Sequence, residues 1–220
     1  MPEYEIKEWN ESNFDVNMIP YTSEAYKAKK YAFVSDYARF WILYNYGGVY
    51  FDTDVELIKP INNILEKGAY MGFERDPYKK RYGLINPGLG MASEFKCDVL
   101  SRIMLIYNGM HFLNKDGSYN IDKTIVHYTT DFFINNGLKK NKGIQHILGF
   151  NIYPSEYFAP INFVTKRLHI TPNTHSVHRY MASWNSHKNV LKLKIRSYLP
   201  EWILLLYNNI KFKLGKGQKY

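Results

Sequence analysis

The segment of residues 31–57 constrains the fold more than any other part of the chain. Its first half reads as a helix in which Asp36 and Arg39 are the only charged residues. A helix that is apolar nearly all round belongs in a protein interior. Gly47 and Gly48 follow it, and glycine commonly ends a helix. The second half then reads as a strand, so the segment predicts a buried helix leading directly into a sheet.

Asp36 and Arg39 are three residues apart, so they share one face of this helix. One interpretation is a local ion pair with a purely structural role. However, burying such a pair usually adds little net stability. A pair that faces a cleft and holds a polar ligand accounts better for the burial of two charges, and we favour that role.

The strand predicted over Val49–Leu57 carries two aspartates. In an extended strand Tyr50, Asp52 and Asp54 lie on the same side. Carboxylates about 7 Å apart repel each other by roughly 2 kcal/mol at an effective dielectric constant of about 20. A divalent cation such as Mg²⁺ or Mn²⁺ would relieve that repulsion. The alternative is an acidic strand face that is simply solvated.

Composition narrows the class of protein. The chain has 220 residues, 45% of them hydrophobic, which fits one or two globular domains and excludes intrinsic disorder. Cys97 is the only cysteine, so no internal disulfide is expected. Helical and strand patterns alternate along the chain, which predicts an α/β fold. The sequence divides into a domain over residues 1–187 and a tail over residues 188–220.

The positive charge is concentrated in that tail. The chain carries a net charge of +9, but residues 188–220 hold eight basic residues and one acidic residue, a net of +7. The body is therefore close to neutral, and we expect no nucleic-acid partner. An apolar patch over residues 202–207 lies beside lysines, a combination that suits an anionic membrane surface. A tail helix packed on its own domain is an equal alternative.

The run SDYARFWILYNYGGVYFDTDVELIKPI, residues 35–61, resembles the DXD-containing sugar-binding region of bacterial polysaccharide glycosyltransferases. That family is related to fungal α-mannosyltransferases and, more distantly, to clostridial glucosylating toxins. Weaker similarities follow in NPGLGMAS, residues 86–93, and in VHRYMASW, residues 177–184. The resemblance implies a GT-A-like (Rossmann-like) fold. It also implies transfer of a hexose from a UDP- or GDP-linked donor with retention at the anomeric carbon.

The resemblance also implies roles for residues at matching positions. Asp54 would bind a divalent cation, Mn²⁺ or Mg²⁺, directly. Asp52 would contact the donor as well as the metal. Asp36 and Arg39 would grip hydroxyls of the donor sugar, and Tyr50 would belong to the same donor site.

Four further positions match flanking parts of the family pattern. Asn86 would line the sugar pocket, and His178 would contact the phosphates or the metal. Ser183 and Trp184 would close over the diphosphate. Members of the family usually carry a strand and a helix ahead of the segment that resembles residues 2–15. We therefore expect the fold to lack that first βα unit and to bind its nucleotide weakly.

These observations predict a metal-dependent retaining hexosyltransferase that acts on a saccharide or lipid-linked acceptor. Residue usage rich in Lys, Asn, Ile and Tyr is typical of a low-GC bacterium, where capsule or other surface polysaccharide is the natural pathway. We expect a cytoplasmic protein, with the tail on the inner face of the cell membrane. A non-catalytic, membrane-docked sugar-binding protein is the alternative. Glu56, two residues after the second aspartate, disfavours an aspartate-nucleophile phosphatase.

Overall fold

The computed structural model describes residues 4–162, 165, 167–180, 200 and 203. Over these residues the protein is a mixed α/β structure, as the sequence predicts. Within the described part, no helix is both long enough and apolar enough to span a bilayer. Most of the basic tail, together with Ser183, Trp184 and His187, lies outside the described residues.

Besides three short 3₁₀ helices, the described part of the chain contains five α-helices with assigned bounds. They are α1 (Pro20–Lys27), α2 (Tyr31–Tyr46), α3 (Asn62–Leu65), α4 (Asp98–Met104) and α5 (Ile125–Asn135). Helix α2 is the apolar helix of the sequence analysis, and it ends where expected. Gly47 follows it with φ of +67°, and a Cβ there would lie 2.9 Å from the backbone nitrogen of Phe95. Only glycine suits that tight exit.

Eight strands form two sheets among the described residues. They are β1 (Gly48–Tyr50), β2 (Val55–Leu57), β3 (Tyr70–Arg75), β4 (Leu84–Asn86), β5 (Met91–Ser93), β6 (Gln145–Ile147), β7 (Phe150–Tyr153) and β8 (Ser176–His178). The larger sheet has the order β1-β5-β3-β7-β6, with β4 also paired to β3. Strands β3 and β7 are parallel and the other pairings are antiparallel. Strands β2 and β8 form a separate antiparallel pair.

The larger sheet separates two apolar clusters, because alternate residues of a strand point to opposite faces. Met71 and Phe73 of β3 belong to the cluster formed with helices α1, α2, α4 and α5. Tyr70, on the opposite face of the same strand, belongs to the second cluster with Tyr153 and Phe158. Helices therefore cover one face, while α3 and the segment after β7 cover the other.

The continuous strand predicted over residues 49–57 is wrong. Strand β1 ends at Tyr50, and β2 begins only at Val55 in the other sheet. The chain turns at residues 52–54, where the backbone N–H of Val55 donates to the carbonyl of Asp52 at 3.0 Å. The two aspartates therefore lie at the ends of a turn that passes from one sheet to the other.

Candidate donor and metal site

The turn at residues 52–54 directs both carboxylates to one place. Its first residue is anchored on the loop after β4, since the backbone N–H of Asp52 donates to the carbonyl of Gly88 at 3.1 Å. Its far end is held next to β8, where the backbone N–H of Arg179 donates to the carbonyl of Asp54 at 2.9 Å. Two unrelated parts of the chain thus fix the ends of the turn.

Strand β8 brings His178 to the aspartates. His178 pairs with Val55 in the β2–β8 ladder, which places its ring beside the turn. Its Nε2 lies 3.3 Å from Oδ1 of Asp54 and 3.7 Å from Oδ2 of Asp52. One ligand atom from each of the three residues lies within 4.8 Å of the other two. The structure therefore unites the three residues expected to form a metal site.

The guanidinium of Arg39 ties helix α2 to this turn. Its Nη1 lies 3.1 Å from Oδ1 of Asp52, and its Nη2 lies 3.1 Å from Oδ1 of Asp36. Its Nε donates to the carbonyl of Ser35 at 3.0 Å. Arg39 is only 3% exposed, so these donors are directed at the protein itself. In this arrangement Arg39 positions Asp52, a role that the sequence analysis did not assign to it.

The carboxylate of Asp52 is held ionised. Burial alone would raise the pKa of Asp52. The charge of Arg39 and the hydrogen bonds from His178 and Tyr50 lower it by more than burial raises it, so the pKa lies below the ordinary value for an aspartate. The Tyr50 hydroxyl donates to Oδ1 of Asp52 at 2.9 Å. The guanidinium carbon of Arg39 lies 4.9 Å from the centre of the Tyr50 ring. Tyr50 therefore belongs to the network that orients Asp52.

Asp36 lies in the opposite electrostatic environment. Burial raises the pKa of its carboxyl to about 7, even though the charge of Arg39 and a hydrogen bond with the backbone of Ile125 lower it. Asp52 contributes a smaller repulsion that also raises it. Ile125 is the first residue of α5, so the helix N-terminus reaches Asp36. Near neutral pH, Arg39 is therefore balanced mainly by Asp52.

The loop that follows β4 presses closely against the aspartates. A Cβ added at Gly88 would lie 2.0 Å from Oδ2 of Asp52 and 2.8 Å from Nη1 of Arg39. The Asn86 side chain accepts from the backbone N–H of Gly88 at 2.8 Å and so shapes this loop. Asn86 was predicted from the sequence as a site residue, whereas Gly88 was not. The NPGLG run was the signal, because a glycine is needed where backbone approaches a side chain this closely.

The donor set fits a divalent cation. Two carboxylates suit Mg²⁺ or Mn²⁺, and an imidazole nitrogen is accepted more readily by transition metals such as Mn²⁺. The backbone N–H of Tyr180 donates to Nδ1 of His178 at 3.2 Å, which places the hydrogen of the neutral ring on Nε2, facing the carboxylates. Ligation through Nε2 requires the other tautomer, so it would replace this hydrogen bond.

His175 has a structural role, whereas Ser183 and Trp184 cannot be placed. His175 is buried, and its Nδ1 lies 2.7 Å from the carbonyl of Pro60. Its ring is parallel to that of Tyr157, with centroids 6.2 Å apart. Ser183 and Trp184 fall outside the described residues, so their expected closure over the diphosphate stays a prediction.

Residues 1–70 match the model of a protein family described as the glycosyltransferase sugar-binding region containing the DXD motif. The match covers about a third of the chain. It includes Asp36, Arg39, Tyr50, Asp52 and Asp54, and it confirms the resemblance seen in the sequence. Asn86 and His178 lie beyond it. No curated protein and no solved structure matches the chain.

Proposed function

We propose, from the premise that residues 1–70 are a DXD-containing glycosyltransferase sugar-binding region, that this protein is a metal-dependent hexosyltransferase. It moves a hexose from a UDP- or GDP-linked donor to a saccharide acceptor, with retention at the anomeric carbon. The mixed α/β architecture supports a GT-A-like arrangement. The observation that carries the proposal is the convergence of Asp52, Asp54 and His178 within 4.8 Å.

The chemistry of the donor explains why such a site is needed. A nucleoside diphosphate leaves readily only when its negative charge is neutralised. A divalent cation held by Asp52, Asp54 and His178 would supply that neutralisation as a Lewis acid. The charged environment of Asp52 supports this role, because its lowered pKa keeps the carboxylate ionised and able to bind a cation.

The other residues of the site orient these ligands. Arg39 and Tyr50 both bond Oδ1 of Asp52 and leave Oδ2 on the side that faces His178. Holding a ligand before the substrate arrives avoids the cost of ordering it during the reaction. Asp36 and Asn86 are assigned to the donor sugar, Asp36 through its carboxyl and Asn86 through the loop that it shapes.

A donor screen with Mn²⁺ tests the proposal. UDP-hexoses, UDP-N-acetylhexosamines and GDP-mannose are incubated with the protein, and release of the free nucleotide is measured with and without EDTA. We expect one donor to be hydrolysed slowly in the presence of Mn²⁺ and no hydrolysis in EDTA. Binding of a donor without hydrolysis would support the non-catalytic sugar-binding alternative. Hydrolysis that EDTA leaves untouched would contradict the metal assignment.

For the setting of the reaction, we propose capsule or other surface polysaccharide synthesis at the cytoplasmic face of the cell membrane. The support is the sequence of the tail, whose net charge is +7 and whose residues 202–207 are apolar. Each basic residue near an anionic surface contributes about 1 kcal/mol of attraction. Deleting residues 188–220 should abolish sedimentation with anionic vesicles. A truncated protein that still sediments, or that no longer folds, would contradict a separate membrane-binding tail.

A further inference from the structure

A second site lies where the two parallel strands of the larger sheet end. Strands β3 and β7 are parallel, and the chain leaves both at the same edge of the sheet. Ligands of α/β sheets commonly bind beyond the carboxyl ends of such strands. A cleft of about 470 Å³ opens there, between residues 76–78 after β3, residues 154–156 after β7 and the loop before β6.

Basic side chains are concentrated around this cleft. Six lie in the two loops that border it, namely Lys79, Lys80, Arg81, Lys139, Lys140 and Lys142. Lys142 lines the cleft itself, and the Nζ of Lys140 lies 4.6 Å from the ring centre of Tyr82 in the facing loop. The two loops are therefore neighbours, and their charges act on the same space.

The charge of this surface stands out against the rest of the domain. The cleft lining itself holds Lys142 against Asp76 and Glu156. The two bordering loops add five basic residues and no acidic one, so lining and loops together carry a net charge of +4. Residues 1–187 as a whole carry only +2. The remainder of that domain is thus net negative. The positive charge is therefore local to this surface, and it favours binding of an anionic ligand.

Both walls of the cleft are held in place by hydrogen bonds. The buried side chain of Gln145 accepts from the N–H of Lys139 at 2.8 Å and donates to the carbonyls of Lys139 and Asn141. On the other wall, both oxygens of Asp76 accept from Ser155, at 2.8 and 2.7 Å. The backbone of the basic loop at residues 139–141 is therefore held in one conformation before a ligand binds.

The acidic residues of the cleft are already engaged. Asp76 is bonded to Ser155, and the Glu156 carboxylate accepts from Thr171 at 2.8 Å and from Asn173 at 3.1 Å. These neutral donors hold both carboxylates in place without removing their charge. The basic residues of the lining and of the two bordering loops outnumber them six to two.

The aromatic side chain at the cleft suits a sugar ring. Tyr78 lines it with 59% of its surface exposed, and Pro77 and Pro154 make the lining largely apolar. Flat aromatic faces stack on sugar rings. A concave, aromatic and basic surface fits a saccharide that carries acidic groups better than it fits the flat surface of a membrane.

Tyr180 lies beside the metal site. The Tyr180 ring packs on His178 with centroids 4.2 Å apart. Burial and the negative charges of Glu74 and Asp54 raise the pKa of the Tyr180 hydroxyl. Glu74 lies near the end of β3, two residues before Asp76 at the cleft. Tyr180 is therefore in contact with His178 and within electrostatic range of Glu74.

We propose that this cleft, lined by Tyr78 and Lys142 and bordered by Lys80 and Lys140, binds an acidic saccharide acceptor. Uronate or phosphate groups of the saccharide would meet the lysines, and a sugar ring would stack on Tyr78. The acceptor role rests on the hexosyltransferase function proposed above. Binding of an acidic saccharide does not, because it is measured without a donor.

Calorimetric titration with a uronate-containing tetrasaccharide of hyaluronan tests the proposal. Its carboxyl-reduced, neutral counterpart is the matched probe. We expect the acidic probe to bind and Lys140→Gln/Lys142→Gln to weaken it about tenfold, as loss of two exposed charge contacts implies. Lys27→Gln/Lys115→Gln, an equal loss of charge elsewhere on the surface, should bind as the wild type does. Tyr78→Ala should weaken both probes, and Tyr78→Phe should not.

Three results would overturn the inference. They are no binding of the acidic probe at millimolar concentration, equal binding of the acidic and neutral probes, or equal binding by the Lys140→Gln/Lys142→Gln protein. If that variant instead loses binding to phosphatidylserine vesicles while no saccharide binds, the surface recognises a membrane. Donor hydrolysis is assayed separately without acceptor, so failure of the hexosyltransferase proposal and failure of this one give different results.

Discussion

Two regions of the protein use positive charge in contrasting ways. At the aspartate turn, Arg39 is 3% exposed and directs its donors to Ser35, Asp36 and Asp52. At the cleft beyond β3 and β7, the basic residues are exposed, and the buried group that holds their loop is the neutral amide of Gln145. The first arrangement orients other residues, and the second presents charge to a ligand.

The two regions should therefore respond differently to substitution. A buried charge acts through geometry, so a conservative substitution should disturb it strongly. An exposed charge acts through electrostatic attraction, so its effects should be small, additive and weakened by salt. The following predictions test that contrast, in order of decreasing effect.

Asp54→Asn should have the largest effect. It removes a charged ligand from the proposed metal site, and loss of one such electrostatic contact costs about 10²- to 10³-fold in rate. Mn²⁺-dependent donor hydrolysis measures the loss. Asp98→Asn, at a side chain that is 80% exposed, is the matched control and should keep full activity. Wild-type rates in the Asp54→Asn protein would remove the metal site from the proposal.

Arg39→Lys should lower donor hydrolysis by about a hundredfold, although the charge is kept. An ammonium lacks the planar fork that reaches Asp36 and Asp52 together. Arg102→Lys replaces a half-buried arginine remote from the turn, whose ion pair with Asp98 spans 3.8 Å and whose Nη2 donates to Asn136 at 3.0 Å, and it should leave donor hydrolysis unchanged. Similar activity in the two variants would mean that Arg39 does not position the turn.

Gly88→Ala should strongly lower the rate of donor hydrolysis and moderately lower the free energy of unfolding. The added methyl group would lie 2.0 Å from Oδ2 of Asp52 and must displace that carboxylate from its bonds with Arg39 and Tyr50. We expect a loss of roughly 30-fold in rate and about 1–2 kcal/mol in the free energy of unfolding.

Gly117→Ala is the control for that substitution. Gly117 has φ of +81° in an open loop, where a Cβ meets nothing within 4 Å. It should lose about 1 kcal/mol of stability and keep its activity. An unaltered rate in the Gly88→Ala protein would show that Asp52 tolerates displacement.

Asp36 should make stability depend on pH. Its pKa of about 7 is above the ordinary value of 3.8, so the folded state binds more protons than the unfolded state between those values. Stability should therefore fall as the pH rises from about 4 to 7, and Asp36→Asn should remove most of that fall, which a shift of this size limits to about 4 kcal/mol. Urea unfolding at several pH values measures it. A slope that is unchanged in Asp36→Asn would assign the pH dependence to other groups.

Gln145→Ala should have the smallest effect and should act on the other region. Loss of its three hydrogen bonds to the loop of residues 139–141 should cost about 1–2 kcal/mol of stability. Acidic-tetrasaccharide binding should weaken several-fold, and the loss should be larger than that in donor hydrolysis. His146→Ala, at an exposed position of the same strand, is the control. A larger loss in hydrolysis would show that the two regions are not separate.

Helix α2 and its exit could be predicted closely because the signals are local. The apolar pattern with two charges indicates a buried helix, and Gly47 and Gly48 mark its end. The structure of residues 49–57 could not be predicted in the same way. An alternating pattern does not show that β1 and β2 join different sheets. The turn at Asp52 depends on Gly88 and Arg179, whose distances from it in sequence hide the contact.

The basic cleft shows the same limit more strongly. No role could be assigned to its lysines from the sequence, because residues 1–187 carry a net charge of only +2 and give no sign of a local excess. Only the parallel pairing of β3 with β7 brings the loop after each strand to one edge. The buried amide of Gln145 then fixes the loop before β6, which borders the cleft.

The local part of the site could be read from the sequence, namely a buried helix with Asp36 and Arg39, a glycine exit and two closely spaced aspartates. These features depend on the local geometry of the backbone, so they can be predicted before the tertiary structure is known. The position of His178 opposite those aspartates, and the cleft that the lysine loops share with Tyr78, emerge only in the folded chain. Both outcomes depend on which strands pair, and strand pairing is settled by the packing of the whole core rather than by any one segment.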